Sequence, residues 1–181
     1  MKTYFSKFFG DMIPVILGIL IALLINDCRD KKADLRFIDQ TTTRIHSELR
    51  ENLKELQEIS AEHHSARDTI RRYMEVDSVS IADLLNKMGG LRGVDIGNTA
   101  WKAFLGDKID LVDPQSIILL TDIDSGKDNL KIFTNKLMNL IYEHMNSNNQ
   151  HTKILLYTII GDMLYTEETL IETHHQLLDI E

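Results

Sequence analysis

The chain has 181 residues, a length that accommodates one domain with a hydrophobic core and a short anchor and excludes two well-stabilised domains. Hydrophobic residues make up 43% and charged residues 27%, with only two prolines, values that argue against disorder and permit long helices. The formal net charge of -8 repels phosphate backbones, so we expect no nucleic-acid partner. The single cysteine, Cys28, excludes an intramolecular disulfide.

The N-terminal part of the chain contains an apolar stretch over 12–25 without a single charge. Residues 8–10 extend it, so a helix over 8–25 is about 27 Å long at ~1.5 Å per residue, close to the ~30 Å thickness of a bilayer's hydrocarbon core. Asp11 is the one charged residue, and it lies near the end of this helix, where a carboxylate reaches headgroups or water. The sequence therefore predicts a transmembrane anchor over 1–28.

A cleaved signal peptide competes with this interpretation, because Lys2 and Lys7 precede the apolar stretch. The residues that follow Ile25 do not include the small side chains that signal peptidase needs. A lipoprotein signal is also excluded, since Asp27 stands where a small residue precedes a lipidated cysteine, here Cys28. We therefore expect the anchor to be retained.

The run GDMIPVILGILIALLIND over 10–27 resembles the signature of a domain-of-unknown-function family of bacterial single-pass membrane proteins, roughly G-E-I-x-L-V-x-I-G-I-L-I-A-L-x-I-N-N-W-N-E. The family's acidic position falls at Asp11, and Cys28 stands where the family has Trp. A second patch, NTAWKAFLGDKIDLVD over 98–113, is similar to a later family segment in which a Trp-containing short helix precedes a long helix. The resemblance implies an anchored helical protein of unknown activity.

Beyond the anchor, apolar residues recur at alternating three- and four-residue spacing over 35–73, which is typical of a helix in a bundle. Neither Pro nor Gly occurs over 26–88, so we expect the membrane helix to continue directly into this stripe. The stripe is predicted to be buried inside its own chain. Ser80, with Asp83 three residues later, predicts the cap of a short helix over 81–88 that ends at two glycines.

The glycine-containing segment 91–97 is predicted to be a loop. A second short helix follows, in which Trp101 and Phe104 are expected to anchor the loop to the core; a ligand platform is the alternative role for the tryptophan. Asp113 followed by Pro114 is a strong start signal for the next long helix.

Two long helices complete the chain. The first is predicted from 114 to about 145, because its apolar stripe keeps its phase across Gly126. A polar turn over 147–150 separates it from the last helix, predicted over about 152–178. Three long and two short helices joined by short links predict an all-α, antiparallel bundle over 29–181, preceded by the transmembrane helix.

Glu168, Glu172 and His175 share one helix face, as the ligands of a carboxylate-bridged di-iron bundle do. Such a site needs a second Glu-x-x-His pair, which the other histidines do not provide, so we interpret these residues as solvated surface and expect no metal or other cofactor. His63 and Asn52 occupy core positions of the heptad pattern and are interpreted as polar residues that fix helix register.

Small residues recur every four positions in the anchor, at Gly10, Pro14, Gly18 and Ala22. They line one face and permit close backbone approach, which predicts a helix-association face in lipid; the alternative is that such residues are simply common in membrane helices. Cys28 lies at the water edge of the anchor and is predicted to form an intermolecular thiol pair in a dimer.

Together these patterns predict a membrane-tethered helical interaction or scaffold module, not an enzyme, whose partners are membrane lipid and another protein or a second copy of the chain. The alternative is a sensor-like bundle that binds a small ligand under the 91–97 loop, and a third reading is a metal-dependent enzyme. The count of basic residues favours a cytoplasmic bundle, whereas the signal-anchor pattern and the resemblance favour the periplasmic side, to which we assign it.

Overall fold

Every regular element in the part of the chain that the structure describes is a helix. A computed structural model describes residues 2–102, 109 and 112–180, and within them the side chains of residue 12 and of residues from 14 onward. The helices are α1 (Lys2–Arg72), α2 (Ile81–Met88), α3 (Pro114–His144) and α4 (Gln150–Leu178). A further helical segment begins at 99, and its residues 99–102 are described. The predicted all-α class, with three long and two short helices, is confirmed.

The chain divides into two compact units, Met1–Thr43 and Arg44–Glu181, and α1 contributes to both. The predicted continuity of the N-terminal helix with the heptad stripe is confirmed, since α1 includes Pro14 and runs without a break to Arg72. Helix α1 ends at Arg72, one residue before the end of the predicted stripe.

The predicted transmembrane span was not found among the described residues. None of their helices combines the length and the apolar content that crossing a membrane requires. The predicted span begins at 8, and the side chains of 8–11 and of 13 lie outside the described part.

The core of the second unit is built from the heptad positions of α1, α3 and α4. Their buried apolar side chains include Leu49, Leu56, Ile59, Ala66 and Ile70 of α1, Leu120, Ile123, Leu130 and Leu137 of α3, and Leu156, Ile160, Met163, Leu170 and Leu177 of α4. The prediction that the α1 stripe is buried inside its own chain is confirmed between Leu49 and Ile70, and Tyr73 at its end is half-buried. It is wrong at Leu35, which is 67% exposed and belongs to the first unit.

Helices α1 and α4 are antiparallel neighbours. His63 of α1 contacts Glu167 of α4, whereas Arg71, two turns later in α1, bonds to Tyr157, which lies three turns earlier in α4. Between these contacts the Arg67 guanidinium stacks on the Tyr157 ring at 4.3 Å. The interface thus joins the C-terminal part of α1 to the middle of α4.

Helices α3 and α4 approach each other closely at Gly126. A Cβ atom there would lie 2.6 Å from Leu170 Cδ2, a distance that real side chains do not tolerate. Glycine usually weakens a helix. At position 126 of α3, however, the absence of a side chain leaves room for Leu170 of α4, which is buried there.

The capping residues predicted for the starts of α2 and α3 are confirmed. Ser80 and Asp83 form a reciprocal capping box at the start of α2, and Asp113 accepts a hydrogen bond from the Ser116 amide at the start of α3. The amides of Ile81 and Ala82 donate to carbonyls of the turn between α3 and α4, at 2.9 and 2.8 Å. These bonds fix α2, and with it the start of the following loop, against the end of the bundle.

Candidate functional site

Polar side chains replace apolar ones at several heptad positions of the bundle core. Those that are buried include Asn52 and His63 of α1 and Lys153, Glu167 and His174 of α4. Because an unpaired polar group in a protein interior is costly, each of these residues calls for a hydrogen-bond partner. The partners of His63 define the candidate site.

The His63 ring is fully buried and connects three parts of the molecule. Its Nδ1 lies 2.8 Å from Oε1 of Glu167 on α4, which is also fully buried. Its Nε2 lies 2.9 Å from the backbone carbonyl oxygen of Arg92, in the segment that follows α2. One imidazole therefore joins α1, α4 and this segment.

The two partners determine the charge of the ring. A backbone carbonyl only accepts hydrogen bonds, and an ionised carboxylate does too, so beside an ionised Glu167 both ring nitrogens of His63 donate and the ring is an imidazolium. Burial lowers the pKa of His63, but the hydrogen bond and charge of Glu167 and the Arg92 carbonyl outweigh burial and raise the pKa above 6.5. The geometry thus fits a buried imidazolium–carboxylate pair.

The segment between α2 and the helical turn at 99–102 forms a loop over 89–98. It begins with Gly89 and Gly90, whose φ angles of 76° and 94° lie in the left-handed region that glycine adopts at least cost. The Arg92 guanidinium then forms two hydrogen bonds with the Glu62 carboxylate, at 2.8 and 3.0 Å. The side chain and the carbonyl of Arg92 are therefore both held by adjacent residues of α1.

The other end of the 89–98 loop is also attached to the bundle. The Asn52 amide group donates to the Gly97 carbonyl at 2.8 Å and accepts from the Gly97 amide at 2.9 Å. Lys127 of α3 donates to the Ile96 carbonyl, and Asn98 donates to Asp124 of α3. The loop is thus fixed at both ends, to α1 and to α3.

Clefts lie on both sides of the loop. The polar one, of ≈ 500 Å³, is lined by Glu62, His63, Ser65, Met88, Gly89, Gly90, Leu91 and Arg92. The apolar one, of ≈ 330 Å³, is lined mainly by Leu85, Leu91, Leu137, Met138, Ile141, Tyr142, Met145 and Met163. The 89–98 loop forms a wall of each, so its position affects access to both.

Two other buried polar side chains have structural partners. Lys153 donates to the carbonyls of Tyr73 and Val76, at 3.2 and 2.7 Å, just after the C-terminal end of α1. His174 donates from Nδ1 to the Leu170 carbonyl at 2.7 Å, and burial lowers its pKa, so this ring is neutral at neutral pH. The pKa values of the two buried histidines, His63 and His174, are thus shifted in opposite directions.

Trp101, which the sequence predicts to anchor the loop, is buried. Its side chain is 2% exposed and packs between α1 and α3 next to Asn52 and Ile123, although its indole nitrogen has no hydrogen-bond partner among the described residues. Phe104, predicted to act with it, lies outside the described residues. A role for Trp101 in loop packing is therefore consistent with its burial.

The predicted association face lies in the first unit, within α1. Pro14, Gly18 and Ala22 are exposed there, and a Cβ atom added at Gly18 would meet nothing within 4 Å. Gly10 belongs to α1, but its surroundings lie outside the described part. Cys28 is a free, exposed thiol.

The face that resembled a metal site lies on the surface of α4. Glu168 contacts the exposed His64 ring at 3.0 Å, and Glu172 and His175 are exposed. Across the described part of the chain, no group of three or more His, Cys, Asp or Glu side chains is arranged to hold a metal ion.

The burial of Glu167, His174 and Lys153 was not predicted from the sequence. The signal was present: the apolar residues Leu156, Ile160, Met163, Leu170 and Leu177 leave gaps in the 3-4 heptad pattern at 167 and 174, and 153 begins the same series. The polar residues at these gaps were therefore predictable core residues. The Glu-x-x-His spacing of Glu172 and His175, with Glu168 one turn earlier, favoured the neighbouring surface residues instead.

Comparison of the chain with protein-family models, with curated proteins and with solved structures finds no match. The resemblance of the N-terminal segment to a family of bacterial membrane proteins stays a prediction.

The attachment of the loop to α1 predicts the effect of Asn52→Asp. The substitution keeps the shape of the side chain but places a carboxylate oxygen against the Gly97 carbonyl, so one hydrogen bond is lost inside the core. We expect unfolding in urea to show a loss of about 1–3 kcal/mol. Asn135→Asp on the exposed face of α3 makes the same charge change and should cost less than ~0.5 kcal/mol. Equal stability of the two variants would contradict the proposed attachment.

Proposed function

We propose that the chain is a membrane-tethered helical interaction module. The observation that carries this proposal is the apolar segment 15–25 of α1, in which the large side chains are 45% to 65% exposed. These exposed residues are Val15, Ile16, Leu17, Ile19, Leu20, Ile21, Leu23, Leu24 and Ile25.

The distribution of these side chains favours lipid as their cover. At about 100° per residue they point to all sides of the helix, whereas a single partner helix covers only one stripe. A helix that is apolar all round needs an apolar environment all round, and a bilayer provides one. Charged residues begin again at Asp27, which forms a solvent-exposed ion pair with Lys31 at 2.9 Å. The length of 8–25, about 27 Å at ~1.5 Å per residue, fits such an environment.

The interaction part of the proposal is supported by large side chains exposed on the second unit. Tyr142 and Tyr165 are 69% and 74% exposed, and Ile118 and Ile132 lie exposed on α3. Aromatic residues of this kind are enriched where proteins contact one another. We therefore propose that the chain binds a protein partner or a second copy of itself. We also propose that the bundle lies on the periplasmic side of the membrane.

The membrane tether predicts opposite results for two matched arginine substitutions in α1. Leu20→Arg places a charge in the middle of the apolar segment, at a cost of ~2.5–3.5 kcal/mol for insertion. We expect this variant to leave the membrane pellet after alkaline carbonate extraction, while the wild type stays in it. Leu35→Arg makes the same change at a residue that is already 67% exposed, and it should remain in the pellet.

If carbonate releases the wild-type chain, or if both arginine variants behave alike, the apolar segment is not a membrane anchor. In that case its exposed side chains require another apolar partner.

A second candidate function, binding of a small apolar ligand, is favoured by the cleft of ≈ 330 Å³ beside the 89–98 loop. Its volume is within the ~300–1,000 Å³ range of small-molecule pockets, and methionines such as Met138 and Met163 adapt readily to ligand shape. Such a site would make the bundle a sensor for apolar compounds near the membrane.

This second function predicts that filling the cleft removes binding. Met138→Trp, at the rim of the cleft, should weaken the binding of fluorobenzene to the full chain in lipid discs by about tenfold or more, as followed by fluorine NMR. Ile132→Trp adds the same ring to an exposed position of α3 and should leave binding unchanged, since fluorobenzene partitions into the lipid equally in both samples. Equal binding by both variants would place the probe in the lipid alone.

A further inference from the structure

We propose that the proton of the His63–Glu167 pair is a latch for the part of the 89–98 loop around Arg92: the His63 ring holds the Arg92 carbonyl while the proton is present, and this contact is released when the proton is lost. The latch is a regulatory device that requires neither membrane attachment nor a bound ligand. It would control the loop that separates the two clefts.

The two nitrogens of the His63 ring contact different parts of the molecule. With both nitrogens protonated, the ring donates to Glu167 at 2.8 Å and to the Arg92 carbonyl at 2.9 Å. When one proton leaves, only one nitrogen can donate, and the lone pair of the other faces an oxygen lone pair at hydrogen-bond distance. One of the two contacts is then repulsive.

The loop contact is the one that gives way. Glu167 lies on α4, whose packed heptad residues hold it in place, whereas Arg92 lies in a loop without regular secondary structure. The charge on Glu167 also favours keeping the remaining ring proton on Nδ1, because a hydrogen bond to a carboxylate is stronger than one to a carbonyl. The Arg92 carbonyl therefore loses its donor, and the proton leaves through the polar cleft that His63 lines.

The groups around His63 make it the source of the pH dependence. Glu167 faces it from α4 and Glu62 acts on it from α1, while α3 contributes the uncharged Thr134 and Leu137 to the far side of the loop. The hydrogen bonds to Glu62 raise the pKa of Arg92, so that guanidinium stays charged throughout. His174 has a lowered pKa and stays neutral above pH 6.5.

The sign of the effect follows from the raised pKa of His63. The hydrogen bond to the Arg92 carbonyl is one of the contacts that raise the pKa of His63, so the ring binds its proton more tightly in the latched state than in the released state. The contact with the loop is therefore favoured at low pH and is lost as the pH rises through the pKa of the latched state. Between the pKa values of His63 in the released and the latched state, the ratio of released to latched loop should rise by up to about tenfold per pH unit.

The test is amide hydrogen exchange of the 89–98 segment in the full chain in lipid discs, measured from pH 6 to pH 9 and corrected for the intrinsic pH dependence of exchange. In the wild type, the ratio of released to latched loop should increase with pH by up to about tenfold per pH unit. Glu167→Gln supplies an amide that donates to Nδ1 of a neutral His63, whose Nε2 then donates to Arg92 without an extra proton. In this variant, opening should be independent of pH.

His64→Gln is the matched control, because it removes the neighbouring surface pair with Glu168 and leaves the buried pair intact. It should show the same rise with pH as the wild type. A wild-type profile that is flat between pH 6 and pH 9 overturns the latch, even where Glu167→Gln fails to fold. A rise that persists in Glu167→Gln, or that disappears in His64→Gln, overturns it as well.

Discussion

The buried His63 ring, held between a carboxylate and a backbone carbonyl, is the constraint on which the second unit depends. Taking the charges of His63 and Glu167 out of water costs several kcal/mol for each ion, and their mutual attraction recovers this only where every remaining hydrogen bond is made. Oε2 of Glu167 has no partner among the described residues, so the pair is incompletely compensated. A fully apolar core would be expected to be at least as stable, and we therefore attribute the pair to positioning of the loop.

The loop and the helices depend on each other through these polar residues. Asn52 and His63 lie three turns apart on the same face of α1, and each bonds to the backbone of the 89–98 loop. This backbone has no strand or helix to satisfy it, so its carbonyls need donors from the bundle, and α1 and α3 provide them. Polar residues in the heptad pattern thus position a connection that apolar packing alone would leave undefined.

Much of the fold could be predicted because the helices are long, periodic and capped. Ser80, Asp83, Asp113 and Pro114 marked helix starts that the structure confirms, since capping chemistry is local and readable from sequence. The His63–Glu167 pair could not be predicted as a pair, because it joins residues 104 positions apart and depends on how α1 and α4 are aligned. The heptad gap at 167 indicated burial, but it carried no information about the partner.

Measuring the protonation state of the His63 ring is the most direct test of its role in holding the 89–98 loop. Nitrogen-15 NMR of the full chain, with imidazole signals assigned by comparison with a His63→Gln variant, distinguishes protonated from unprotonated ring nitrogens. We predict that both Nδ1 and Nε2 of His63 carry protons at pH 6.5 and that one of these protons is lost only at higher pH. A ring that is already neutral at pH 6.5, with a proton on one nitrogen alone, would contradict the buried ion pair and the role that we assign to it.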